Sequence, residues 1–216
     1  MTAPGFFLVL EGGEGSGKST VVRCINRLIE PTEGEISWNG KDITTADNRN
    51  LRNIRRHFGM IFQHFNLVKR STVLTNTLSG RLGYIKPLPS ILHKFSQKDM
   101  TSAMNALRRV GLSEQAQKKA SELSGGQQQR VGIARALMQE PELILADEPV
   151  ASLDPVLAHT ILGDLEKLNR EDGITVICSL HYLDLVQRYA TRVIGLRDGE
   201  IVYKGTGEDI KRMTDD

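Results

Sequence analysis

The chain is poor in aromatic residues (5%), holds one tryptophan and two cysteines, and carries no long apolar run. Each shortage excludes something. Cys24 and Cys178 lie far apart, form no Cys-x-x-Cys pair and fall in segments that read as a helix and a buried strand. Neither a disulfide framework nor a thiolate metal site is expected, and both read as reduced core residues of a cytosolic protein. No stretch approaches the roughly 18 apolar residues of a membrane span, and Phe6-Phe7-Leu8-Val9-Leu10 is too short for a signal-peptide core. Any service to a membrane is then expected from its cytoplasmic face. An excess of one charge is missing too: 28 basic against 26 acidic residues leave a net +2, and no Lys/Arg block marks a nucleic-acid footprint. Nucleic acid is not an expected partner. A length of 216 residues allows one full core with an inserted lobe rather than two ordinary domains.

What is present alternates strand and helix. The apolar run at 6–10 ends in glycines, and helical character continues over 18–29, so a glycine-rich loop joins a buried strand to a helix. A turn at 31–34, a strand at 35–38, a hairpin turn at Asn39-Gly40, a polar helix over 49–56 and a buried strand at 58–62 come next. From His64 to about Ala120 strand-like runs disappear; 72–82 and 98–110 read as helices, and 84–95, with Pro87 and Pro89, as an irregular connector. A helix with Val131, Ala134, Leu137 and Met138 on one side runs on to Pro141. Beyond it come a strand at 143–146, a helix through Leu157, Ile161, Leu165 and Leu168, a strand at 175–180 and a helix over 182–189. Strands at 192–196 and 200–203 around Asp198-Gly199 close the chain as a hairpin. Such alternation implies an α/β fold with a parallel central sheet and crossover helices.

The loop Gly12-Gly13-Glu14-Gly15-Ser16-Gly17-Lys18-Ser19 has the residues that cradle phosphates. Glycines let successive N–H groups turn inward, the helix after them offers its positive end, Lys18 supplies a cation, and the Ser19 hydroxyl can hold Mg²⁺, with Thr20 as a helper. Asp147 ends an apolar strand, so its carboxylate emerges where ligands of such sheets bind and can hold Mg²⁺ through water. Glu148, next along the chain, is the candidate to polarise an attacking water. His181 comes directly after the strand at 176–180 and reaches the same edge, where it could contact a γ-phosphate. His57, His64, His93 and His159 show no such placement. Ser124, Gly125 and Gly126 open a helix and make a second anion-binding terminus, away from the first loop.

The run Leu123-Ser124-Gly125-Gly126-Gln127, the strand at 143–146 with Asp147-Glu148, and Gly59 to Val68 together resemble the ABC-transporter ATPases, over about residues 17–205, and come nearest to phosphonate importer subunits. The resemblance implies a RecA-like P-loop core over 1–63 and 136–216 within a single 1–216 domain, and a helical signature subdomain over 64–135. It makes Gln63 the Q-loop residue that touches Mg²⁺ and water, adds Gln127 to the signature, and makes Ser152-Leu153-Asp154 the loop that crosses a dimer boundary. ATP held between one P-loop and the signature of a head-to-tail second copy is implied, with permease subunits as membrane partners and a periplasmic or extracellular solute-binding protein as an indirect one. The family carries a longer leader with antiparallel strands and an adenine-stacking aromatic, whereas here the P-loop begins at Gly12. Shortened antiparallel strands and weaker ATP binding are therefore expected, with Phe6 and Phe7 read as core rather than as the stacking aromatic. Phe7 to Gly15 instead resembles the opening of thymidylate kinases, which keeps a nucleoside monophosphate kinase as the alternative. A third option, an ABC protein acting on DNA or ribosomes, is opposed by the balanced charge.

Overall fold

The computed structural model describes residues 5–13, 15–84 and 95–215, with side chains as far as residue 212. Glu14 and most of the connector expected at 84–95 lie outside them.

The main sheet has six strands: β1 (Phe7–Glu11), β4 (Phe58–Ile61), β5 (Leu143–Ala146), β6 (Thr175–Leu180), β7 (Arg192–Arg197) and β8 (Glu200–Gly205). Their order is β4-β5-β6-β1-β7-β8. The first strand in the chain therefore fills an interior slot, paired parallel with β6 from Phe7↔Val176 to Glu11↔Leu180 and with β7 on its other side. Only β8 runs antiparallel, as the edge strand of the closing hairpin. A separate ribbon, β2 (Ser37–Trp38) and β3 (Lys41–Asp42), turns through Asn39 and Gly40 at φ 50° and 72°, the left-handed pair that a two-residue hairpin requires.

Successive strand residues point to opposite faces, and both faces are covered, β4 and β5 being buried at every position, so each face of the sheet has its own core. Val9, Ile61, Ile144, Val176 and Cys178 face one way, and Leu10, Phe58, Leu143, Leu145 and Leu196 the other. Against the second face pack α1 (Lys18–Ile25) and α2 (Asn48–Arg55), through Val22, Leu51 and Ile54. On the first lie α5 (Gly125–Leu137), α6 (Pro155–Asp172) and α7 (Leu183–Tyr189). This core runs on without a break, through Val131 and Ile133, to α3 (Val73–Leu78) and α4 (Gln97–Arg109), where Leu74, Leu78, Ala103 and Leu107 are buried.

Three expectations change. The first helix ends at Ile25 rather than 29, because Arg27 turns left-handed (φ 47°) and its guanidinium is held by the carbonyls of Ile43 and Ala46 at 3.0 and 2.6 Å. A final helix, α8 (Gly207–Asp215), was not expected; Thr206 and Asp209 cap it reciprocally. Of the two free cysteines only Cys178 is in the core, where burial pushes its thiol up, while Cys24 is half-buried on α1.

Candidate functional site

The parallel register brings the ends of β1, β4, β5 and β6 to one edge of the sheet, and each strand gives way there to polar residues that the sequence singles out. After β1, the loop winds through Gly15 (φ 77°) and Gly17 (φ 94°), which side chains rarely tolerate. A Cβ at Gly12 would lie 2.2 Å from the Leu196 carbonyl, whereas nothing stands within 4 Å of one at Gly13 or Gly15, so the loop is pressed to β7 on one side and open on the other. Gly17 is the N-cap of α1 and gives no side-chain cap. A cleft of about 250 Å³ borders the loop, lined by Gly12, Gly13, Ser16, Arg197, Asp198 and Val202 among others.

Lys18 is buried and donates from Nζ to the carbonyl oxygens of Gly12 and Gly13, the latter at 3.0 Å. It also stands 3.1 Å from His181 Nδ1. The same Nδ1 lies 3.3 Å from the Gly12 carbonyl oxygen, and Nε2 makes a direct contact with the Glu148 carboxylate. His181 thus bridges the phosphate-type loop and the end of β5.

Asp147 is 1% exposed. Ser179 Oγ, itself fully buried on β6, donates to its Oδ1 at 3.3 Å and accepts from the Glu148 N–H at 2.8 Å. Both Nε and Nη2 of Arg23 reach Asp147 Oδ2 at 2.9 Å. Glu148 sits at φ 48°, an uncommon conformation for a side-chain-bearing residue and of the kind that collects at functional sites.

Ser19 and Gln63 are half-buried and Thr20 exposed, on α1 and just beyond β4. Among the described residues, no hydrogen bond joins residues 124–127 or Asp154 to this cluster. Ser124 accepts from the Gln127 N–H at 3.3 Å while its own N–H donates to Gln127 Oε1 at 3.0 Å. Gly125 and Gly126 pack toward Leu153 and Leu157, and Asp154 caps α6 by accepting from the Leu157 N–H at 3.0 Å. Phe7 is core, 1% exposed, as its strand position implied, but Phe6 is not: it lies just before β1 with its ring exposed beneath the Arg192 guanidinium, 5.2 Å from the ring centroid. His57 pairs with Glu142 and His159 with Tyr189, His64 is exposed, and His93 lies outside the described residues. Two partners in the cluster escaped the sequence reading. Ser179 could have been found, since a hydroxyl inside an apolar strand needs a partner; for Arg23 there was no local signal.

The donor set suits a magnesium nucleotide: an open glycine loop with a lysine at a helix start, and carboxylate, hydroxyl and amide oxygens, the hard ligands Mg²⁺ takes. A guanidinium already stands as a cation on Asp147.

The ABC transporter family model matches residues 2–151. The chain belongs to that family. It is 53% identical, over 98% of its length and 81% of the relative's, to the phosphonates import ATP-binding protein PhnC of Staphylococcus aureus (strain USA300). Among solved structures it is similar to the ADP conformation of the ATP-binding cassette MJ1267, at a TM-score of 0.85 and 34% identity, covering 99% of this chain and 85% of that one. It is similar also to the dimeric post-hydrolysis cassette MJ0796 bound to ADP and Pi, at 0.79 and 36%, covering 94% and 86%.

Proposed function

We propose that this chain is the ATP-binding and hydrolysing subunit of an ABC importer, coupling ATP hydrolysis to the uptake of a phosphonate or a related oxyanion. The observation that carries the reading is the meeting of Lys18, Asp147, Glu148 and His181 at one sheet edge. The cargo class rests on the likeness to the phosphonate import relative.

In this reading the N–H groups of Gly12, Gly13, Gly15, Ser16 and Gly17, with Lys18, Ser19 and Thr20, bind the phosphates. Ser19, Gln63 and Asp147 would hold Mg²⁺, Asp147 through water. Magnesium-bound ATP supplies the phosphoryl group to be transferred, its negative charge partly neutralised. Glu148 orients a water and takes its proton; His181 holds the Glu148 carboxylate in place and reaches toward the phosphate loop. Lys18 balances charge on the phosphate side.

Ser124, Gly125, Gly126 and Gln127, with Asp154, serve the nucleotide of a second copy packed head to tail. Residues 64–135 form the signature lobe, and 1–63 with 136–216 the nucleotide core. The dimer sits on permease subunits at the cytoplasmic face of the membrane, receives cargo indirectly from a solute-binding protein, and binds no nucleic acid. A monophosphate kinase is not favoured, because the family match and the relatives are transport ATPases.

Glu148→Gln tests the reading. ATP should then trap a dimer that elutes as one species in size-exclusion chromatography, with turnover down about 10³-fold. A persistent monomer with parental hydrolysis contradicts it.

A further inference from the structure

We propose that Arg23 is the resting counter-ion of Asp147, a positioning residue that must leave the carboxylate before Mg²⁺ takes it and so sets how much Mg²⁺ the site requires. This rests on the reading of Asp147 as a metal ligand in the proposed function.

The Asp147 side chain is 2% exposed and its only other side-chain partner among the described residues is the Ser179 hydroxyl, on the opposite oxygen. A carboxylate so buried is strongly disfavoured without a cation beside it, so some positive group has to accompany it whether or not metal is bound. Arg23 is that group. It stands little more than a helical turn beyond Lys18 on α1, and its side chain is 44% exposed, which leaves the guanidinium a path into solvent. Its two nitrogens converge on Oδ2 alone rather than forking across both oxygens, a weaker grip than the bidentate pair such side chains can make. Guanidinium and metal then compete for one carboxylate, and a competitor built into the protein scales the apparent metal affinity down to the fraction of time it leaves the carboxylate free. Its consequence is a site that stays electrically satisfied at rest and does not collect Mg²⁺ ahead of the nucleotide.

The test uses the full chain and a fluorescent ADP analogue, whose binding is tracked against Mg²⁺ concentration and in EDTA. For Arg23→Gln the Mg²⁺ concentration at half-maximal binding should fall about three- to tenfold, and for Arg23→Lys by less, while binding in EDTA stays within about twofold of the parent. A merely structural role for Arg23 would shift both conditions together. Arg23→Lys keeps a cation beside the carboxylate and decides the matter should Arg23→Gln not fold. An unchanged or raised Mg²⁺ requirement in the folded Arg23 variants overturns the proposal alone. Failure of the underlying reading looks different: the parent shows no Mg²⁺ dependence, or Asp147→Asn leaves that dependence intact, and then both fall.

Discussion

Helices α1 and α5 both begin in glycines, yet their first turns are finished in opposite ways. Gly17 at the head of α1 offers no side-chain cap, and the loop before it is open at Gly13 and Gly15. Ser124 at the head of α5 belongs to a complete capping box with Gln127. With no side chain at its N-cap, the first turn of α1 turns its N–H groups toward the loop, the arrangement that suits an anion. The α5 start is partly satisfied within its own chain, though its cap is long at 3.3 Å, and it can hold its shape before anything arrives. In the proposed function one terminus is a receptor and the other a ready-made clasp.

The largest expected break in this contrast is Gly12→Ala. The added methyl meets the Leu196 carbonyl, at a φ of 153°, and should cost about 3 kcal/mol or more in chemical denaturation, with loss of nucleotide binding. Lys18→Ala removes the loop's cation together with its hydrogen bonds to the Gly12 and Gly13 carbonyls, and ATP affinity measured by calorimetry should drop about 10- to 100-fold; parental affinity would deny the α1 start its role as receptor. Ser124→Ala acts on the other side. It should destabilise the nucleotide-free chain by about 1 kcal/mol without altering ATP binding by the monomer, and a change in monomer affinity would erase the distinction.

The smallest effect sharpens the contrast with a third terminus, that of α4, capped by Ser96 and Asp99. The Ser96 hydroxyl, backbone N–H and Arg81 hold the Asp99 carboxyl below its ordinary value. The folded chain therefore binds fewer protons there than the unfolded one, so the stabilisation is fully present above about pH 4 and fades as pH falls through the depressed value. Asp99→Asn should lose less stability between neutral pH and pH 3 than the parent, as read from thermal midpoints.

Much of this was legible beforehand because it is local. The strand at 143–146 is an unbroken apolar run and that at 175–180 is apolar but for Thr175 and Ser179, and the residues that follow them, Asp147 and His181, are placed by where those strands stop. The helix after the signature serine begins at Gly125, where its cap places it. Illegible were features decided across the fold. The first helix is cut short at Ile25, where Arg27 turns away to reach carbonyls sixteen and nineteen positions along the chain. Arg23 and Ser179 matter through Asp147, which no local pattern connects to either. The closing helix is the exception, since Thr206 and Asp209 stand at capping-box spacing and were there to be read.

The interior place of β1 has a consequence for biosynthesis. Its neighbours, Thr175–Leu180 and Arg192–Arg197, leave the ribosome long after it does. Until they emerge, Phe7 to Leu10 is an apolar strand with neither edge paired, a species prone to wrong partners and suited to chaperone capture. Assembly of the phosphate loop, which hangs from the end of that strand, is then among the last events of folding rather than the first.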